Sequence, residues 1–211
     1  MIKAIVFDLW NTLIYRKNNG AEIDKEFAEI LEVNEKDWKE LRDEYLLVEE
    51  YDSIEDIAIF ACTKLKVNGG NKRDKLVEHT KKSLEDVKIY EDTLPTLEYL
   101  KRMGIKVGLL SNTSTPFKKP FYDLDLKKYF NYAVLSCEVG LAKPDKDIYR
   151  FILKKLDVHF MDALMIGDSL KDDYEGALNV GLDALLLDRK NKISHIEIGK
   201  IKSLDEIRHL I

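Results

Sequence analysis

The chain has 211 residues, 34 Lys and Arg against 39 Asp and Glu, and a formal net charge of -5. That length suits one large domain or a domain carrying an inserted unit, and the charge balance offers no basic stripe to neutralise a nucleic-acid backbone. No apolar run reaches membrane-spanning length. Met1 leads almost directly into the first expected strand, with no room for a secretory signal, so a cytoplasmic location is the expectation. Cys62 and Cys137 fall in segments assigned below to different units and read as reduced thiols.

The stretch Ile2 to Leu13, IKAIVFDLWNTL, opens the chain with an apolar β-branched run that stops at Asp8. Such a run predicts a strand buried on both faces. In an open α/β sheet ligands bind beyond the carboxyl ends of the strands, which makes Asp8 a candidate for chemistry. A turn formed by Asp8 or Asn11, both of which bond their own backbone readily, is the simpler alternative.

From Tyr15 the texture becomes helical, and four amphipathic helices are expected. Ile23, Phe27, Ile30 and Leu31 share one face; Trp38, Leu41, Tyr45 and Val48 a second; Ile54, Ile57, Ala58, Ala61 and Leu65 a third; Leu76, Thr80, Leu84 and Val87 a fourth. Asn68-Gly69-Gly70-Asn71 separates the last two. At this spacing the apolar residues read as the core of an all-α insertion. His79, on the last of these helices, reads as an exposed residue, and Arg16 and Arg42 as solvated charges.

The α/β rhythm returns at Tyr90. A helix holding Leu97 and Leu100 stops at Met103-Gly104, and a strand from Ile105 to Leu110 ends in Ser111-Asn112-Thr113, whose hydroxyl and amide groups can bond an oxyanion. An amphipathic segment from Phe117 to Phe130 and a short strand from Tyr132 to Leu135 lead to Lys143-Pro144. Pro144 fits the first position of a helix. Lys143 would then stand at a helix entrance, near the positive end of the dipole, a placement that helix stability does not explain. The strand Ala163 to Ile166 runs into Gly167-Asp168 and on to Asp172-Asp173, readable also as an N-cap with acids in the first turn. A strand from Ala184 to Leu187 and a helix from Leu204 to Leu210 follow.

Asp8 with Thr12, Ser111-Asn112, Lys143-Pro144, and Gly167-Asp168 with Asp173 thus follow one another at strand ends. In that order they resemble the four motifs of the haloacid dehalogenase-like hydrolase superfamily, over essentially the whole chain. The helical stretch looks like that family's cap. The resemblance implies an α/β, Rossmann-like parallel-sheet core from residues 1–15 and 90–211, with an all-helical cap inserted at 16–89. It further implies an aspartyl nucleophile at Asp8, oxyanion contacts from Thr12, Ser111 or Asn112, and a charge-balancing Lys143. Mg²⁺ would be held by Asp8 and Asp168 with Asp173 in support, and by the main-chain carbonyl of position 10. A Mg²⁺-dependent phosphatase acting on small phosphorylated molecules is the expected function.

Position 10 departs from the pattern. The superfamily's phosphatases usually carry there a second Asp that protonates the leaving group and activates water, and this chain has Trp10. An indole cannot transfer those protons, and general acid-base catalysis is worth about 10² to 10⁴ in rate. Two other readings stay open: a 2-haloacid dehalogenase, whose halide leaves without a proton, and a non-catalytic scaffold that binds phosphate or a partner. The acids at Asp168 and Asp173 favour the metal-dependent phosphatase.

Overall fold

The computed structural model describes residues 2–17, 23–193 and 197–210. In chain order the strands are β1 (Ala4–Phe7), β2 (Ile14–Arg16), β3 (Val87–Ile89), β4 (Lys106–Ser111), β5 (Tyr132–Leu135), β6 (Ala163–Gly167), β7 (Asp183–Leu187) and β8 (Lys200–Ile201). The helices are α1 (Ile23–Leu31), α2 (Glu35–Leu41), α3 (Ile54–Lys64), α4 (Gly70–Glu85), α5 (Thr93–Arg102), α6 (Thr115–Asp123), α7 (Ser136–Val139), α8 (Lys146–Leu156) and α9 (Gly176–Leu178).

Six strands form one parallel sheet in the order β5-β4-β1-β6-β7-β8. The alternation of a strand splits β1 between two cores. Ile5 and Phe7 join Leu97 of α5 and Phe121 of α6 on one face, and Ala4 and Val6 join Ile148 and Ile152 of α8 on the other. All four β1 side chains are fully buried, as the unbroken apolar run predicts for a strand covered on both sides. Because β4 and β6 flank β1, in register from Phe7 to Leu109 and Ile166, Asp8, Asn112 and Asp168 all emerge at the carboxyl ends of these central strands. This is the expected α/β, Rossmann-like parallel-sheet architecture.

The chain leaves the sheet along β2 and returns along β3, which pair antiparallel as a two-stranded ribbon, Ile14 opposite Ile89 and Arg16 opposite Val87. Between them α1 to α4 pack round a third core holding Phe27, Leu31, Trp38, Leu41, Ile57 and Leu76. Asn34 and Ser53 cap α2 and α3 by accepting from main-chain amides in the first turn. The expected helical faces need two corrections. Val48 lies beyond the wide turn Arg42–Leu46 that ends α2, and Val87 belongs to β3, since the ribbon claims the chain after Glu85. The stretch 16–89 includes residues 18–22, which lie outside those described.

Three further expectations change. The segment Phe117 to Phe130 is α6 followed by a 3₁₀ turn, Leu126–Tyr129. Pro144 is not the first residue of a helix: Lys143-Pro144 is a cis peptide, and α8 begins two residues later behind an Asp145 cap. The turn after β6 is capped by Ser169, whose hydroxyl accepts from the Asp172 amide, so Asp168 is left out of the cap. Among the described residues no helix is long and apolar enough to cross a membrane.

Candidate active site

Asp8 follows β1 directly, and its amide donates to the Ile166 carbonyl at 3.0 Å, prolonging the ladder. The left-handed position of the turn that follows is taken by Asn11, at φ 59°, a conformation Asn tolerates better than most. Asn11 therefore does the turn's work, and the Asp8 carboxylate is directed into the crevice. There Lys143 Nζ donates to Asp8 Oδ1 at 2.9 Å, to Asp173 Oδ1 at 2.6 Å and to the Leu110 carbonyl at 2.8 Å. Those three bonds use every proton of the ammonium. The side chains of Lys143 and Asp173 are each 1% exposed.

Lys143 is itself held by Asn112. The amide of Asn112 donates to the Lys143 carbonyl and accepts from the Lys143 amide, both at 2.7 Å. Both ends of the Asn112 amide thus face the main chain of Lys143. Asp173 accepts at its second oxygen from the Ser169 amide at 2.9 Å. Lys143 lies three residues ahead of α8, and its bonds to the buried acids account for a cation that helix stability does not explain.

Asp8, Asp168 and Asp173 bring one carboxylate oxygen each within 4.8 Å of one another. Burial first, with Asp173 adding repulsion against the opposing pull of Lys143, pushes Asp8 up to about 6. Burial and the charges of Asp8 and Asp173 push Asp168 up to about 8, although a hydrogen bond from Asn11 works the other way. The same two acids hold Lys143 above the usual lysine range in spite of its burial. When all three are ionised, the carboxylates leave two negative charges in excess of the one ammonium, and the donors are all hard oxygens. That set fits a divalent cation such as Mg²⁺. The hydroxyls of Thr12 and Ser111 are buried beside this region of the chain without a hydrogen-bond partner.

A cavity of about 840 Å³ lies between the helical stretch and the sheet edge. Asn112, Lys143 and Ser169 line it from the sheet, and Phe27, Trp38 and Leu76 from the helices. Trp10 also faces it. The indole Nε1 donates to the Phe117 carbonyl at 3.2 Å, and the ring meets Phe117 edge to face at 5.9 Å. The side chain at position 10 is thereby fixed as part of an aromatic wall.

A family model described as haloacid dehalogenase-like hydrolase matches residues 2–181. The chain belongs to that family of hydrolases. A glyceraldehyde 3-phosphate phosphatase of Methanopyrus kandleri is 27% identical to this haloacid dehalogenase-like hydrolase over 93% of the chain and 88% of its own length. A ribulose-1,5-bisphosphate 5-phosphatase of Halopiger xanaduensis is 32% identical over 50% of the chain, a match that spans only 44% of that relative. Two solved structures share the fold: an HAD phosphatase from Thermococcus onnurineus (23% identity, TM-score 0.68, 99% of this chain and 97% of that one) and a 2-haloacid dehalogenase from Pseudomonas syringae (21% identity, TM-score 0.66, 100% and 98%).

The sequence reasoning placed three residues of this hydrolase wrongly. Arg16 is 8% exposed and lines the cavity. Arg42 is tied to Asp24 and Asp43. His79 pairs with Glu26 at 3.1 Å and packs on Phe27. Arg189 and Asp92 escaped notice altogether. Arg189 donates twice to Asp92, at 2.7 and 2.9 Å, and to the Thr12 carbonyl at 2.9 Å, with its guanidinium 3.9 Å from the centre of the Tyr90 ring. Its partners lie 97 and 177 residues away, so no local spacing could have announced it.

Proposed function

We propose that the chain is a Mg²⁺-dependent phosphatase for small phosphorylated molecules, with Asp8 as nucleophile. The observation that carries this reading is the Asp8 carboxylate, set at the carboxyl end of the central strand and bonded to Lys143, with Asp168 and Asp173 alongside. The phosphatase names of the curated relatives support it. Asp8 and Asp168 would hold the cation together with the Trp10 carbonyl, and Asp173, whose two oxygens already accept from Lys143 and Ser169, would support the site. Bound there, Mg²⁺ supplies charge to neutralise the phosphoryl oxygens and the acids around them.

The remaining work falls to the chain's own residues. Lys143 keeps Asp8 oriented and offsets the negative charge that gathers in the transition state. The hydroxyls of Thr12 and Ser111, buried and without partners, serve the transferring phosphoryl group. The carboxylate of Asp8 attacks phosphorus, the bond from phosphorus to the leaving oxygen breaks, and an aspartyl-phosphate forms. Water then attacks phosphorus, releasing inorganic phosphate and restoring Asp8. Trp10 gives no proton to the leaving oxygen and takes none from the water, so solvent fills both roles. Residues 16–89 act as a cap over the cavity and choose the substrate.

Turnover is therefore slow, and faster for aryl or acyl phosphates than for alkyl phosphates, whose leaving groups need a proton. Phosphate release and the covalent adduct are followed on matched aryl and alkyl esters, with and without Mg²⁺. Asp8→Asn should abolish both signals, and Trp10→Asp should raise the alkyl rate by about 10² to 10⁴, less the cost of repacking an indole. An unchanged alkyl rate in a folded Trp10→Asp variant that binds Mg²⁺ would count against this account. Halide release from a 2-haloacid without Mg²⁺ would decide for a dehalogenase.

A further inference from the structure

Arg16 ends β2, the strand along which the chain passes from the turn after Asp8 toward the helices. The residue is 8% exposed and lines the wall of the cavity, and its Nη2 is buried with no hydrogen-bond partner. Leaving a buried donor unmatched costs more than the bond itself would contribute, most of all on a charged group. The guanidinium stays charged at any ordinary pH, even though burial makes it less basic than usual.

The acids that act on Arg16 are Asp24 and Glu26, both on α1, and both are committed elsewhere. Asp24 accepts from Trp38 Nε1 at 2.9 Å and from Arg42, and Glu26 is bonded to His79. The other cations along the helical side of the cavity differ from Arg16. The fork of Arg42 is filled by Asp24 and Asp43, and Lys39 is 47% exposed and paired with Glu35. The same wall carries the apolar side chains of Phe27, Ile57 and Leu76. Among the described residues, Arg16 is the buried cation of this side that keeps a donor in reserve.

We propose that Arg16 determines specificity by receiving a second oxyanion, a carboxylate or a second phosphoryl group, on a substrate whose reacting phosphate lies at Asp8. The proposal rests on the phosphatase reading for the identity of the reacting group, whereas the anion subsite rests on Arg16 itself. A planar guanidinium presents donors that match either oxyanion, and the apolar side chains of the wall can pack against the ligand's body. The substrate class is then a small phosphomonoester with an anion at its far end and an apolar or aromatic body between the two.

The test uses 4-carboxyphenyl phosphate, its uncharged amide 4-carbamoylphenyl phosphate, and 1,4-phenylene bisphosphate, with Mg²⁺ present. The parent should favour the anionic substrates over the amide by about 10- to 100-fold in kcat/KM, mainly through KM, as expected for a hydrogen bond to a charged group. Arg16→Gln should bring that ratio close to one, and Arg16→Lys should keep part of it. Whichever anionic substrate shows the larger ratio identifies the oxyanion. A merely structural role for Arg16 lowers the rates of all three substrates together and leaves the ratio as it was, which overturns the proposal.

Calorimetric binding of the corresponding benzylphosphonates, which are not turned over, makes the same comparison without catalysis. A preference for the acid in the parent that Arg16→Gln abolishes supports the subsite even if no phosphate is ever released, in which case the phosphatase reading alone fails. Equal binding of acid and amide by the parent overturns the subsite.

Discussion

At Lys143 a single ammonium serves two buried acids and a carbonyl, and among the described residues no other cation is bonded to those acids. Lys143→Met should cost about 3 to 5 kcal/mol of stability in urea unfolding, because it strands Asp8 and Asp173 as uncompensated buried acids. Adding Mg²⁺ should restore part of the loss. The acids themselves give a pH signature. Asp8 and Asp168 sit at about 6 and about 8 when folded, above their usual value near 3.8, so the folded state binds more protons than the unfolded chain between those limits. Stability in chelator should therefore fall as pH rises from about 5 to 8, and Mg²⁺ or Asp168→Asn should flatten the slope. Thermal midpoints across that range check it, and a rise with pH would refute it. Asp8 and Asp168 were legible in the sequence because each directly follows an apolar strand, whereas Asp173 lies in the helical turn behind β6. Arg16 was not, since a lone cation at a strand end looks the same whether solvated or buried.

The element that sets the cluster's dimensions is β6 with the turn behind it. A Cβ built on Gly167 would overlap the carboxyl group of Asp173, so only glycine lets the acid fold back against the strand and reach Lys143. Gly167→Ala should displace Asp173 and weaken Mg²⁺ binding by about 10- to 100-fold, the usual effect of losing a supporting partner. Calorimetric titration of the folded variant decides, and an undiminished affinity would remove Asp173 from the site. The strands that carry this machinery were readable because β1, β4 and β6 are buried on both faces and so write continuous apolar runs. The two- and three-residue strands β2, β3 and β8 left no pattern long enough to register. Pro144 was misread for a different reason: its position suits a helix start locally, and the contacts that hold Lys143-Pro144 in place come from Asn112, Asp8 and Asp173, far away in sequence.

For the whole molecule, the three cores separate along the chain, two belonging to the sheet and one to the helices between β2 and β3. Replacing residues 17–86 with a short linker across the paired ends of β2 and β3 should leave a folded sheet domain that still binds Mg²⁺ and has an altered specificity. Circular dichroism and calorimetry would show this, and an unfolded product would mean that the helices belong to the core. The sheet domain has a closure of its own. Asp92 accepts from Arg189 and also from the Ser203 hydroxyl and the Leu204 amide, each of the latter at 2.9 Å, while Arg189 holds the Thr12 carbonyl. The loop bearing the first motif is thus moored to residues far along the chain from it. During synthesis Asp8 emerges from the ribosome early, yet its loop gains this anchor only after Leu204 has followed it out of the exit tunnel. A nascent chain stalled before Ser203 should carry the nucleophile on a looser turn, and the hydrolase would become competent only once the segment through Leu204 has been made.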